Sequence, residues 1–426
     1  MRSSKTVWMA ALAMAVALAG CKKDYFDKTE YEQLISDSMP VDKVEGSHNW
    51  TLTITGYVQV TADVSGTARV QLLTANPYES TECEILADAA VSEGRSVMLY
   101  YIIPQVQETM YLVALDADGH YLAMVPVARG QRTAYFRGEL LDLTGMLHAP
   151  QKQTFFYCFE SEFPQPGDWD YNDLVLTVNK EPTDDAHVVR LNVTLEAVGT
   201  LQQLAAAINL DGYSYESVKE ITTTTGSNFP ELQTSVPRMF IEERDILLRG
   251  RNGEAVINLF DDAHAVFYSR TTQTGAALRG YINTSRDGRA DGFTRGAQTV
   301  SYLITFRDEG NAAQFTLADL DPFIINNYNG MFCEIHTFPY KQRQVLKEYM
   351  GGYSSDYIDK YSWALAIPYT WFRYPLEGVP MGKKRGNLIG GAYCRTPNTF
   401  AAWLADSNDA RDWYKYPTTG VDGSVY

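Results

Sequence analysis

The stretch Leu52-Thr53-Ile54-Thr55-Gly56-Tyr57-Val58-Gln59-Val60 sets apolar side chains at Leu52, Ile54, Val58 and Val60 against polar neighbours. A period of two marks a strand with one face buried and one face wet. Similar runs recur at 68–73, 96–103, 110–115 and 121–127. Between two of them, Asp116-Ala117-Asp118-Gly119 has the residues of a tight turn, which explains its acids without a cation. Several short strands within about 90 residues imply a small β-sandwich.

Further along, strand patterning returns at 154–160, 174–178, 188–198, 205–210, 255–260 and 300–306. Residues 201–207 fit either a strand extension or a helical turn. The best helix candidate is 341–350, with Val345, Leu346 and Tyr349, while the polar stretches 222–230 and 270–295 read as loops. The expected fold is mainly β: two β-sandwich domains in tandem behind a tether, with few short helices. The tether spans 21–47, with one short helix at 29–36. The N-terminal sandwich spans 48–136, the connection 137–152, and the larger β domain 153–426.

Composition fits this reading. The 426 residues are 45% hydrophobic and 21% charged, which excludes wholesale disorder. A formal charge of −16 leaves no basic surface for nucleic acid or for a polybasic membrane contact. The 28 Tyr suit half-buried strand faces, with ring inward and hydroxyl outward.

The N-terminus addresses compartment. Arg2 and Lys5 precede an apolar run, 7–19, shorter than the ~20 residues of a membrane span but sized for a signal peptide, 1–20. It ends in Leu18-Ala19-Gly20-Cys21, which resembles the lipobox of bacterial lipoproteins. The resemblance implies lipidation at Cys21 and an outer-membrane lipoprotein, at the cell surface or on the periplasmic face. The remaining cysteines, Cys83, Cys158, Cys333 and Cys394, form no C-x-x-C. Cys158, within Phe155-Phe156-Tyr157-Cys158-Phe159, reads as a buried free thiol, and a Cys333–Cys394 bridge is open.

The chemistry concentrates in Phe159-Glu160-Ser161-Glu162-Phe163-Pro164-Gln165-Pro166-Gly167-Asp168-Trp169-Asp170-Tyr171-Asn172-Asp173-Leu174-Val175. It holds five carboxylates, and no Lys or Arg falls between Lys152 and Lys180. Such crowding is unfavourable unless water or a cation screens it. Asp168, Asp170 and Asn172 alternate, with Asp173 adjacent, so a hard oxygen-seeking cation, Ca²⁺ first, is expected on Asp168, Asp170, Asn172 and Asp173, with Glu160 as a further ligand. An EF-hand is excluded, since Asp173 stands where that loop needs Gly and Asn179 where it needs Glu. The competing reading is a solvated acidic loop whose side chains cap their own turns.

The F-E…P-x-x-G-D-x-D-Y-N-D-L-V signature resembles the LruC domain of bacterial surface and exported lipoproteins. Further similar pieces are Asp287-Gly288, Asp291-Gly292-Phe293-Thr294, Asp321-Pro322-Phe323-Ile324-Ile325, Glu334-Ile335-His336, Trp363-Ala364-Leu365-Ala366-Ile367-Pro368 and Trp371-Phe372-Arg373-Tyr374-Pro375. The resemblance covers 153–426, and the strands from Asn49-Trp50 resemble the domain that often precedes it. His336-Thr337-Phe338-Pro339 departs from the family's His-Leu-Pro run. The resemblance implies architecture and location; it supplies no reaction.

Catalytic motifs are absent. The six His lack metal spacing, no G-x-S-x-G occurs, and Gly378-Val379-Pro380-Met381-Gly382-Lys383-Lys384 only mimics a phosphate loop. Aromatics crowd the C-terminal part, including Tyr361, Trp363, Tyr369, Trp371, Phe372, Tyr374, Trp403, Trp413 and Tyr414, and read as core. The expected function is therefore non-catalytic: adhesion, ligand binding or surface structure, the partners being the membrane through the lipid and an extracellular glycan or protein. The alternative is a glycan-binding or glycan-hydrolysing lipoprotein using a pair such as Asp168 and Asp170.

Overall fold

The computed structural model describes residues 28–136, 143–224, 229, 245–267, 279–285, 291–328, 331–343, 345–347, 360–383, 390–418 and 425–426. The signal peptide, Cys21, residues 137–142 of the connection, Asp287-Gly288 and the 348–350 end of the expected helix lie outside them. The chain divides into two units, 1–38 and 39–426. In the first, helix α1 (Lys28–Ser38) covers the short helix expected in the tether.

In the second unit, β1 (Thr53–Thr61), β2 (Arg69–Leu73), β3 (Glu84–Ala90), β4 (Ser96–Pro104), β5 (Thr109–Leu115), β6 (Tyr121–Ala128), β7 (Thr133–Tyr135) and β8 (Gln151–Lys152) form two sheets. Their orders are β4-β1-β7 and β6-β5-β2-β3-β8. The alternate residues Val58 and Val60 of β1, Leu99, Tyr101 and Ile103 of β4, and Leu112 and Ala114 of β5 share one core. Gly56 faces Tyr101 across the β1–β4 ladder, and a Cβ there would overlap the Tyr101 ring at 2.5 Å. The missing side chain is what lets that ring cross the strand. At the β5–β6 turn Asp116 accepts the N–H groups of Asp118 and His120, and Gly119 takes φ +85°.

The larger region comprises β9 (Thr154–Phe159), β10 (Leu174–Pro182), β11 (Val188–Ala197), β12 (Ala205–Ser214), β13 (Val218–Thr223), β14 (Leu247–Arg249), β15 (Glu254–Phe260), β16 (Tyr281–Ile282), β17 (Gly292–Phe293), β18 (Gln298–Phe306), β19 (Leu320–Tyr328), β20 (Met331–His336), β21 (Val345–Lys347) and β22 (Ala364–Ile367). Two six-stranded sheets result, β13-β18-β11-β10-β9-β22 and β14-β15-β12-β19-β20-β21. The helices in this unit are short: α2 (Ala263–Phe267), α3 (Glu309–Gln314) and α4 (Phe400–Ala405). The protein is mainly β, as the periodicity predicts.

Several expectations are corrected. In the expected helix at 341–350, a 3-10 turn (Phe338–Arg343) leads into β21, which pairs with β20 from Glu334↔Val345 to Phe332↔Lys347. One helical turn of apolar spacing cannot outweigh a free sheet edge that accepts Val345 and Leu346. No Cys333–Cys394 bridge forms: all four described cysteines are thiols, and Cys333 is held inside the β20 ladder. Thr222 and Thr223 belong to β13, and β16 and β17 lie within the stretch read as a loop. From residue 205 the ambiguous 201–207 segment is strand.

The end of the tether is packed. Met39 and Val41 are buried, and Glu45 N–H donates to Leu404 O at 2.7 Å. His48 and Trp50 pack edge-on against Trp403, and Trp50 Nε1 donates to Lys360 O at 3.0 Å. Gln153 Nε2 donates to Ile102 O at 2.9 Å, and Tyr369 hydroxyl to Glu82 Oε2 at 3.0 Å. Both ends of the N-terminal sandwich are thereby fastened to the larger region.

Candidate metal centre

The last β9–β10 pair is Phe159↔Leu174, so residues 160–173 form the hairpin's loop, with Glu160 and Asp173 side by side at its base. Trp169 and Tyr171 adopt left-handed backbone, φ 61° and 55°. Each such non-glycine residue costs about 1–3 kcal/mol and persists only when its surroundings hold it. Here the aromatic core does. Trp169 is buried against Trp363 with ring centroids 5.4 Å apart, and the Tyr171 hydroxyl donates to Ser362 O at 2.9 Å. With the rings turned into the core, the intervening Asp168 and Asp170 meet Glu160.

Two overlapping groups result. Glu160, Asp168 and Asp170 offer one oxygen each, all within 4.8 Å of one another, and so do Glu160, Glu162 and Asp173. That span is twice a Ca–O distance of about 2.4 Å, the largest separation two ligands of one ion can have. Glu160 and Asp170 are buried, Asp173 is 6% exposed, and Asp168 is exposed at the mouth. Among the described residues none of the five carboxylates pairs with a Lys, Arg or His.

Backbone donors order the cluster. Tyr171 N–H donates to Glu160 Oε1 (2.7 Å), Ser161 N–H to Asp173 Oδ2 (2.6 Å), Asn172 N–H to Asp170 Oδ1 (3.1 Å) and Gly378 N–H to Asp170 Oδ2 (2.7 Å). These do not offset the burial. Desolvation, then repulsion from Asp168, Asp170 and Glu162, pushes the Glu160 carboxyl well above the usual carboxylate range. Burial with Asp168, Asp173 and Glu377 does the same to Asp170, and burial with Glu162 and Glu160 to Asp173. Although Asp168 keeps an exposed face, partial desolvation and then repulsion from Glu162 raise its carboxyl as well. Burial and mutual repulsion thus disfavour the charged forms, and a cation would favour them.

The geometry redistributes the sequence-derived set. Asp168, Asp170 and Glu160 come together, but Asp173 joins Glu160 and Glu162. Asn172 turns its Nδ2 to Pro375 O at 3.2 Å and rests its Oδ1 against Gly199, where a Cβ would collide at 1.7 Å. Glu162 was within reach of sequence reasoning, since Glu160 and Glu162 share one side of an extended chain. The donor Gly378 carries no local signal. It belongs to the segment that mimics a phosphate loop and supplies its N–H to an acid instead.

The fold and this site define a class: a β-sandwich protein with a carboxylate cluster in the loop of one hairpin. The profile described as Domain of unknown function (DUF4842) matches residues 184–414, more than half of the chain, and the chain belongs to that family. Among solved structures, the chain is similar to that of a Bacteroides ovatus protein named as a presumed lipoprotein. The match has 15% identity and TM-score 0.49, and covers 84% of this chain and 99% of that one. No curated protein matches. None of the described helices is long and apolar enough to cross a membrane.

Proposed function

We propose that the protein is a non-catalytic, LruC-like lipoprotein of the outer membrane, anchored through Cys21, whose larger β domain is stabilised by Ca²⁺ at the Glu160–Asp173 loop. It serves adhesion, ligand binding or surface structure, toward an extracellular glycan or protein, from the cell surface or the periplasmic face. The lipobox supports the anchor. One observation carries the cation: Glu160 is fully buried among four other carboxylates and has no basic partner among the described residues. An oxygen-only donor set selects a hard ion, and outside the cell a site with a Kd of ~0.1–1 mM fills at millimolar calcium.

The glycan reading has less support. Trp363, Trp403, Trp413 and Tyr414 are buried in the core and offer no sugar-stacking surface. Asp168 and Asp170 converge on one point and do not face each other across a cleft. The deciding experiment is thermal unfolding with calcium and with chelator. At a hundredfold excess over Kd, calcium should stabilise the wild type by about 2.7 kcal/mol. Asp170→Asn should lose most of that. A calcium-independent midpoint in the wild type would leave only the solvated acidic loop.

A further inference from the structure

We propose that the cluster holds two divalent cations bridged by Glu160, an inference that rests on the calcium reading above. The two ligand groups share Glu160 and no other residue: Asp168 and Asp170 complete one, Glu162 and Asp173 the other. A single ion on either group would leave the other pair of acids in place beside it. In charge terms, one divalent ion leaves three of the five negative charges uncompensated, whereas two leave one. In a buried setting that difference is large, because repulsion between like charges is weakly screened there.

The side-chain arrangement at Glu160 is the independent observation. Its Oε1 takes the Tyr171 N–H, while its Oε2, although fully buried, has no hydrogen-bond partner. An unpartnered buried carboxylate oxygen is costly unless a ligand meets it. Gly167 makes the room there, since a Cβ at that position would lie 1.9 Å from Glu160 Oε2. Glu162 Oε2 is likewise buried without a partner. Both Asp170 oxygens accept one N–H each and keep a second lone pair for a metal.

The roles of the five acids follow. Asp168, exposed at the mouth, and Asp170 hold the outer ion; Glu162 and Asp173 hold the inner one. The test is calcium stoichiometry on the detergent-solubilised full chain, stripped with chelator, reloaded with Ca²⁺ and assayed by calorimetry and elemental analysis. The wild type should bind two equivalents, Asp168→Asn one, Glu162→Gln one, and Glu160→Gln should weaken both at least tenfold. One equivalent in the wild type overturns the pair and leaves the single-ion reading standing. No bound calcium overturns both. Two equivalents kept by both Asp168→Asn and Glu162→Gln place the ions elsewhere and overturn the assignment. The wild-type count decides the matter even where a variant fails to fold.

Discussion

The backbone N–H of Tyr171 donates to Glu160 Oε1 at 2.7 Å, while the hydroxyl of the same Tyr171 donates to Ser362 O at 2.9 Å. One residue therefore joins the carboxylate cluster to the aromatic core. Whatever loosens the cluster loosens the packing behind it, so cation binding should register as stability of the larger β domain.

Proton linkage gives the first prediction. In the metal-free protein Glu160, Asp170 and Asp173 have folded pKa values raised above their unfolded ones. Above the ordinary carboxylate range near pH 4–4.5 the folded state then holds more protons than the unfolded state, and stability falls as pH rises. In chelator, the wild type should melt lower at about pH 8 than at about pH 5.5, and calcium should remove the difference. Glu160→Gln, which deletes a buried charge and keeps the shape, should melt higher than wild type in chelator at about pH 8 and respond little to calcium. A chelator melting point flat across this range would contradict the account.

Gly167→Ala tests the space at Glu160. The added Cβ collides with Glu160 Oε2, so unfolding stability should drop by about 1–3 kcal/mol, with a smaller calcium shift. Gly296→Ala is the control, because nothing lies within 4 Å of its Cβ position. Equal urea midpoints for the two variants would show that Glu160 is free to move aside.

Trp363 fastens the loop from the other side. It packs on Phe163 and Trp169, and its Nε1 donates to Gln165 O at 2.8 Å. Trp363→Phe leaves that carbonyl without its donor and a void beside Trp169. Denaturant unfolding should show a loss of about 1–3 kcal/mol. A change smaller than about 0.5 kcal/mol would mean the loop is held by the cluster alone.

His48 should confer acid sensitivity. It is 1% exposed between Trp50 and Trp403, and burial pulls its pKa down to about 4. As pH falls, the unfolded chain takes the proton near its ordinary value of about 6.5, before the folded one can. Stability is therefore lost from there down to the folded value. His48→Phe should flatten that part of the stability–pH curve, measured in chelator so that cation loss does not contribute.

Cys21→Ala should move the protein from the membrane fraction to the soluble one. Continued sedimentation with membranes would rule out the lipid anchor.

Strands with one wet face were legible in the sequence. In β11 the alternation is complete, each buried residue from Val189 to Ala197 separated by a half-exposed one. β19 and β22 gave no such pattern. Ile324, Ile325 and Asn326 are buried consecutively, as are Ala364 and Leu365, and there the period of two vanishes. β8, β16 and β17 have two residues each, too few for any period. At the site, the acids 160–173 were visible together because they are contiguous. Glu377 and Gly378, more than 200 positions away, were not, because local patterning carries no record of which distant loop closes over a hairpin.

By itself, then, the sequence determined the β character and the negative charge left without a nearby cation, since both are local properties of adjacent residues. Only the tertiary structure decided how that charge is divided. Burying Trp169 and Tyr171 bends the backbone into left-handed conformations that swing Asp168 and Asp170 onto Glu160. Pairing of β9 with β10 sets Asp173 beside Glu160 and Glu162, and Pro375 draws Asn172 away. The physical reason is that side-chain direction within a loop follows the packing of the rings between the acids, and that packing is supplied by residues from the far end of the chain.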